Sequence, residues 1–342
     1  MSGTIHLFER LPHLEAASRG ASGSASAAVR GSPLIGLIRN ARSHRNHQRA
    51  LEDERRENVI LATPRERSEL HGILSDFAAK RVDCIAIDGG DGTVRDVLTA
   101  GAGIFGESWP AIIVLPSGKT NALAHDLGLP ADFSLDDAID AVARGTFARR
   151  QPLVIAQRDD LSAQVHGFVL GGGVFNRAIA LGQRSHKLGA FNAAVVGLTA
   201  AWSLLQAFFG SAANEWRRGS KMRIRMEDGS LLPHRGGLPE DERYLLLVSS
   251  LEGFAAGLDP FRKVGGPMGV GVFDNPRRGL LLRFGAIARG TTSAATQRRG
   301  YHVFGSNAIE VDLGDAFILD GEAFPAGRYR IAAGPKLRFV VP

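Results

Sequence analysis

The residues with the clearest chemical meaning are Asp88-Gly89-Gly90-Asp91-Gly92-Thr93. Three glycines let the backbone approach a ligand closely and reach positive φ. Successive N–H groups in such a turn form an anion nest, and a helix opening at Thr93 would add the positive end of its dipole. Asp91 projects into the same turn, where it could hold Mg²⁺ or accept a proton. A carboxylate beside a phosphate cradle is workable only if a metal ion offsets the repulsion. The combination therefore points to phosphoryl transfer rather than simple anion binding. The plain alternative is a tight structural turn, because Asp-Gly is a common turn pair.

A second cluster, Pro116-Ser117-Gly118-Lys119-Thr120-Asn121, again lies between an apolar run and a helical pattern. Gly118-Lys119-Thr120 looks like the end of a P-loop, but the first glycine of that motif would fall on Ile113, inside the apolar run. The stretch is better read as a second wall of the first site, with Lys119 reaching phosphate and Asn121 fixing the loop or a ligand. Metal-ligand spacings such as CxxC or HExxH are absent from the sequence, as is a nucleophile elbow.

The elements that must position these residues alternate. Leu34–Ile38, Val59–Ala62, Cys84–Ile87 and Ala111–Leu115 read as buried strands. Thr63, Pro64 and Glu66 have the spacing of a helix N-cap, first position and capping box, ahead of an apolar face at Leu70, Ile73, Leu74 and Phe77. Helices are also expected from Thr93, around Asn121–Leu127, and over Ser134–Arg144 with Ser134 as cap. Strands alternating with helices predict a mainly parallel sheet covered by helices over residues 34–150. Beyond residue 150, short strands are expected at Leu153–Ala156, Gly167–Leu170, Met222–Met226, Tyr244–Val248, Leu280–Phe284, Ile309–Leu313 and Leu337–Val341. Residues 151–342 are thus expected to form a β-rich second domain, a sandwich, whose last strands could return toward the first domain.

Composition bounds the rest. One cysteine, Cys84, excludes an internal disulfide and predicts a reducing, cytoplasmic setting. A net charge of +6 favours anionic partners without choosing among them, and nucleic-acid binding would rest on that charge alone. The Ala-, Ser- and Gly-rich start predicts a mobile tail over residues 1–33. Leu188–Gly210 runs 23 residues without a charge, flanked by Arg184 and Lys187 before it and Arg217, Arg218, Lys221 and Arg223 after it. Its length would span a bilayer, but Asn192, Gln206 and strands on both sides favour a buried or lipid-facing helix with reversible attraction to an anionic membrane surface.

Together, Gly89–Thr93, the P-x-G-x-x-N pattern Pro116–Asn121 and the late Asp320-Gly321-Glu322 resemble the diacylglycerol kinase and sphingosine kinase catalytic superfamily. The resemblance runs over residues 34–342. It implies a three-layer α/β nucleotide-binding domain, a C-terminal β-sandwich and an active site in the cleft between them. It implies ATP and Mg²⁺ as cofactors and a membrane lipid as acceptor. Asn40 and Thr63 would then contact nucleotide and phosphates, alongside Gly89, Gly90, Gly92, Thr93, Gly118, Lys119, Thr120 and Asn121. Asp91 would bind the metal, and Glu322 would be the general base.

Several departures narrow the resemblance. Relatives usually carry Thr or Ser where this chain has Lys119, and often an acidic residue where it has Asn176. No acidic residue occurs over Val264–Val272, where bacterial relatives hold a structural Mg²⁺. Asn121-Ala122-Leu123-Ala124 is nearer to sphingosine kinases, so diacylglycerol and ceramide or a sphingoid base stand level as acceptors. Two other readings stay open: another GGDG-type kinase such as NAD kinase, and a lipid-binding protein with a decayed kinase site. A homodimer also stays open.

Overall fold

The structure, a computed structural model, describes residues 8–15, 32–40, 56–118, 120–177 and 214–342. They divide into two compact units. One takes Pro12–Pro152, Val165–Gly167 and Gly334–Pro342; the other takes Met1–Leu11, Leu153–Gln164 and Phe168–Ala333.

The first unit is built on one sheet. Strands β1 (Ile35–Arg39), β2 (Val59–Ala62), β3 (Cys84–Gly89), β4 (Ala111–Pro116), β5 (Phe147–Arg150) and the chain's last strand β18 (Leu337–Val340) lie in the order β2-β1-β3-β4-β18-β5. The pairings among β1 to β4 are parallel, β18 is parallel to β4, and β5 runs antiparallel to β18. Helices cover both faces. On one, Phe77 of α1 (Glu69–Ala79) packs so closely over Gly36 that a Cβ there would lie 2.4 Å from the ring. On the other, Leu135, Ala138 and Ala141 of α4 (Leu135–Arg144) join Ile35, Leu37, Ala86, Ile113 and Val340 in one buried cluster. The period-two alternation of each strand thus divides its side chains between two helical layers. Ser134 caps α4 as the sequence predicts, in a full capping box with Asp137.

The second unit holds two antiparallel sheets. One has the order β10-β9-β14-β17-β6-β7, formed by β6 (Leu153–Gln157), β7 (Asp160–Gly167), β9 (Ser220–Arg225), β10 (Glu242–Arg243), β14 (Ala308–Leu313) and β17 (Gly327–Ala333). The other has the order β13-β12-β11-β8-β15-β16, formed by β8 (Val169–Gly173), β11 (Leu245–Ser249), β12 (Met268–Phe273), β13 (Tyr301–Ser306), β15 (Phe317–Leu319) and β16 (Glu322–Phe324). Their faces meet where the Phe317 and Tyr329 rings lie edge to face at 5.1 Å. The expected α/β sheet and β-sandwich are both present.

Three expectations differ from what the structure shows. Thr63-Pro64 does not start a helix. Those residues are extended, and α1 begins six residues later, after Ser68, with the Arg65 N–H held by the Glu69 carboxylate at 3.2 Å. Leu280–Phe284 is helical rather than extended, lying across the short helices α5 (Arg278–Leu281) and α6 (Phe284–Ile287), which pack on Phe273 and Tyr301. Short apolar runs do not distinguish strand from buried helix by period. The reading of 1–33 as a mobile tail also fails over residues 8–15. There the Phe8 N–H donates to the Ala323 carbonyl at 2.9 Å, Phe8 stacks on Phe324 at 4.5 Å, and Leu11 is buried. The segment Leu188–Gly210 lies outside the described residues.

His166, in the first unit, is buried, and its N–H donates to Thr99 Oγ1 at 3.0 Å. Burial pushes its imidazole down to about 4. Between its ordinary value near 6.5 and about 4 the unfolded chain takes up a proton that the folded chain does not. Folded stability therefore falls as pH drops through that window. The full effect is ~3 kcal/mol. Urea unfolding of wild type against His166→Gln at pH 7 and pH 4.5 checks this. The variant is expected to lose markedly less stability on acidification, and an equal loss in both would contradict it.

Candidate functional site

Both glycine-bearing loops leave the carboxyl ends of neighbouring parallel strands, β3 and β4, the usual ligand position in an α/β sheet. The first is tied to the end of β1. Arg39 Nε donates to Asp88 Oδ2 at 2.9 Å, and both side chains are buried. The Asn40 N–H donates to the Asp88 carbonyl at 3.0 Å, and Asn40 Nδ2 donates to Thr93 Oγ1 at 3.1 Å. Asn40 and Thr93, two of the expected nucleotide contacts, thus meet. The Arg39–Asp88 pair was not anticipated from the sequence; a charge closing an otherwise apolar strand was the available signal.

Asp91 opens α2 (Asp91–Phe105). Its carboxylate does not point away from the protein. Oδ2 accepts from the Ala122 N–H at 3.0 Å and Oδ1 from the Leu123 N–H at 3.2 Å. Those are the first two amides of α3 (Ala122–Asp126), which no carbonyl within that helix could satisfy. The residue read as a metal ligand is therefore also the clamp between the two loops. Asn121 completes the second loop from a left-handed conformation, φ 49°. Its Oδ1 accepts from the Gly118 N–H and its Nδ2 donates to the Gly118 carbonyl, both at 3.0 Å. Both ends of the Asn121 amide are thus engaged in holding the loop.

The glycines divide by cause. A Cβ on Gly118 would lie 2.5 Å from Gly90 Cα, and one on Gly89 2.5 Å from Thr93 Cβ, so packing alone demands these two. At Gly92 the nearest atom to an added Cβ is Arg95 Nη2 at 3.7 Å, an ordinary contact. Among the described residues nothing requires glycine there, which fits a position kept small for a ligand against the first turn of α2. Thr120 is exposed in the second loop, and Thr63 is exposed just after β2, released from the capping role. Lys119 lies outside the described residues.

Asp320-Gly321-Glu322 belongs to the other unit. Asp320 (φ 45°) and Gly321 (φ 84°) form a two-residue hairpin turn between β15 and β16, with Leu319 opposite Glu322. The Asp320 carboxylate accepts from the Phe168 N–H at 3.0 Å and the Val169 N–H at 2.9 Å. Asp320 thus pins the turn to the start of β8, and Glu322 begins β16. Asn176 donates its amide to the Ala316 carbonyl, just before β15.

Mg²⁺ can be tested against these residues. Among the described residues no three His, Cys, Asp or Glu side chains converge as a metal cage. The Asp91 oxygens each accept one main-chain N–H and retain capacity for one metal bond. That suits Mg²⁺ arriving with a nucleotide, whose phosphates and waters complete its shell, and it does not suit an all-protein site.

The family model for the diacylglycerol kinase catalytic domain matches residues 37–152, a span that contains both loops. A search of curated proteins found no match. Among solved structures, a candidate diacylglycerol kinase from Bacillus anthracis str. Sterne is similar at TM-score 0.60 and 15% identity, over 92% of this chain and 98% of that one. A crystal structure of a candidate diacylglycerol kinase from the same organism gives TM-score 0.60 at 16% identity with the same coverage. A third structure from that organism, described as a diacylglycerol kinase, gives 0.56 at 14%. At such identities the structures establish the fold. The family match over residues 37–152 supports the resemblance to the diacylglycerol kinase and sphingosine kinase catalytic superfamily.

Two substitutions separate scaffold from cradle. Gly118→Ala is expected to lower the melting temperature, because its methyl meets main chain. Gly92→Ala is expected to fold like wild type and to bind MgATP at least about tenfold more weakly by titration calorimetry. Wild-type affinity in Gly92→Ala would contradict the ligand assignment. Asp91→Asn is expected to cost about 1–3 kcal/mol of stability even without nucleotide, because an amide cannot accept from both N–H groups. An unchanged urea midpoint would contradict the clamp.

Proposed function

We propose that this chain, whose residues 37–152 match a diacylglycerol kinase catalytic domain, is an ATP-dependent kinase that phosphorylates a hydroxyl of a neutral membrane lipid. The observation that carries the proposal is the pair of loops at the ends of β3 and β4, clamped by Asp91, with Gly92 meeting no described side chain closer than 3.7 Å to an added Cβ. A polyphosphate is the ligand class that uses an open helix N-terminus, a close backbone approach and a carboxylate together.

In this reading the first-turn N–H groups of α2 receive the phosphates, and Asn40 holds Thr93 in place beside them. Bound Mg²⁺ would offset the charge between the Asp91 carboxylate and the phosphate oxygens. Thr63, Lys119 and Thr120 are assigned to phosphate contacts on the resemblance. Glu322 is assigned as the base. Its carboxylate takes the proton from the acceptor hydroxyl as that oxygen bonds to the γ-phosphorus and ADP leaves. Asp320 positions the turn that carries Glu322 and touches no reactant. Diacylglycerol and ceramide or a sphingoid base remain equal candidates for the acceptor. Such an acceptor stays in its bilayer, so the enzyme works as a peripheral protein. Among the described residues no helix is long and apolar enough to cross a membrane.

The test is γ-labelled ATP with diacylglycerol, ceramide and sphingosine in mixed micelles, and with NAD, resolved by chromatography. Label is expected in a phospholipid product. Label in NADP alone would make the chain an NAD kinase, and MgATP binding without transfer to any lipid would make it a lipid-binding protein. Glu322→Gln is expected to lower transfer by about 10²–10⁴ while leaving MgATP affinity and melting temperature near wild type. Asp320→Asn is expected instead to lower the melting temperature. A collapse of nucleotide affinity in Glu322→Gln would place the base elsewhere.

A further inference from the structure

Four large apolar side chains are conspicuously exposed among the described residues: Leu161 (57%), Leu231 (57%), Leu258 (38%) and Leu282 (74%). Their surroundings differ in charge. Leu161 follows Asp159 and Asp160, and Leu231 lies in the turn after Glu227 and Asp228. Leu282, the most exposed, sits between α5 and α6 in a stretch of another kind. From Asn275 to Ile309 the sequence holds no Asp or Glu, but it holds Arg277, Arg278, Arg283, Arg289, Arg298 and Arg299. All six arginines are exposed. Six charges equal the formal net charge of the whole chain, +6.

The fold gathers this stretch instead of spreading it. It leaves β12 through α5 and α6 and returns through α7 (Ala294–Arg298) to β13. Asp274, at its root, is buried. Burial alone would raise its carboxyl. The hydrogen bond from His302 at 2.8 Å, the Arg243 guanidinium and the Arg235 N–H at 2.8 Å together bring it below the ordinary carboxylate value. This acid is thus spent inside the protein. Arg299 folds back over α5, its Nε 3.5 Å from where a Cβ on Gly279 would lie. Arg277 and Arg289 donate to the main-chain carbonyls of Arg235 and Gly285, and among the described residues no carboxylate pairs with either. Beside the end of α6, the Asp259 N–H donates to the Ala288 carbonyl at 2.8 Å. This brings in the exposed Leu258 with Arg262 and Lys263, and the Asp259 carboxylate pairs with Arg262 at 3.3 Å.

Of the basic residues after Leu188–Gly210 that the sequence offers to an anionic surface, Lys221 and Arg223 lie on β9, with Lys221 opposite Glu242. On β9, Arg223 lies opposite Asp312 and Arg225 opposite Glu310. Arg158 adds further pairs to the same two acids at 3.7 and 3.3 Å. Each arginine of that strip thus faces an acid across the sheet, whereas the stretch Asn275–Ile309 carries no acid of its own.

We propose that the α5–α7 corner is the face by which the protein docks on an anionic lipid bilayer, with Leu282 entering the interface and Arg283 and Arg289 meeting lipid phosphates. The assignment deepens the lipid-kinase reading and rests on it for its purpose. An exposed leucine in a stretch that carries exposed arginines and no acid matches the two attractions that hold a peripheral protein to such a surface, apolar insertion and charge. Nucleic acid would use the charge but not the leucine.

Co-sedimentation with phosphatidylglycerol–phosphatidylcholine vesicles at low salt tests it, with kinase turnover in detergent mixed micelles measured in parallel. Wild type is expected to pellet with these vesicles and to be released by high salt or by phosphatidylcholine alone. Leu282→Glu is expected to weaken partitioning about tenfold. Arg283→Glu with Arg289→Glu is expected to weaken it more than about twentyfold. Leu161→Glu, on the acidic background, is expected to pellet like wild type. Undiminished pelleting of the Leu282 and arginine variants, no pelleting of wild type, or equal loss in Leu161→Glu would overturn the surface. So would duplex DNA competing the protein off vesicles while binding Leu282→Glu as tightly as wild type. Turnover in micelles decides the kinase reading separately, since it needs no bilayer.

Discussion

One carboxylate organises the loop-bearing end of the α/β unit. Asp91 accepts the first two N–H groups of α3 while occupying the first position of α2. It thereby joins the loops that follow β3 and β4. Buried or half-buried N–H groups left without an acceptor would cost more than most single contacts contribute, so this clamp fixes where both loops can be. The close approach of Gly90 to Gly118 follows from it, and so does the left-handed Asn121 that closes the second loop on itself. A charge used in this way does two jobs. It holds the cradle in shape before any ligand arrives, and it sets one negative group where Mg²⁺ would be needed to admit a polyphosphate.

The same economy appears at the late hairpin. Asp-Gly-Glu is a short string with a purely conformational use, because Asp and Gly suit a two-residue turn with positive φ. The structure gives both acids of the string a place. The Asp320 carboxylate pins the turn to Phe168 and Val169, and Glu322 is left as the first residue of β16. The Phe8 N–H bonds to the carbonyl of the next residue, Ala323, and the Phe8 ring stacks on Phe324, so the otherwise open edge of that sheet is covered by the chain's own early residues. The catalytic assignment of Glu322 thus concerns a side chain on a turn fixed from two sides.

Much of this was legible from residue order. Short continuous apolar runs separated by helical patterns marked the four parallel strands, and Ser134 marked its helix because a cap and a matching residue three positions on act locally. Thr63-Pro64-Glu66 has the same local grammar and fails, since the Glu69 carboxylate takes the Arg65 N–H and the chain bends and turns over residues 65–68 before α1 begins. Leu280–Phe284 misled because Leu280, Leu281 and Phe284 pack with Phe273 and Tyr301 while Leu282 stays exposed, and such packing leaves no period in five residues. The insertion of β18 between β4 and β5, and the hold on residues 8–15, depend on contacts far apart in sequence. The glycine string was legible as a site, but the division among Gly89, Gly92 and Gly118 was not, because each glycine's reason lies in what stands across from it.

The central claim is that the first turn of α2, held by the Asp91 clamp, is a phosphate seat. A crystal structure with Mg²⁺ and a non-hydrolysable ATP analogue tests it most directly. The account predicts phosphate oxygens within hydrogen-bond distance of the Asp91 and Gly92 N–H groups, with the Asp91 bonds to Ala122 and Leu123 retained. A nucleotide bound elsewhere, or an Asp91 carboxylate that leaves α3 when the nucleotide enters, would contradict it.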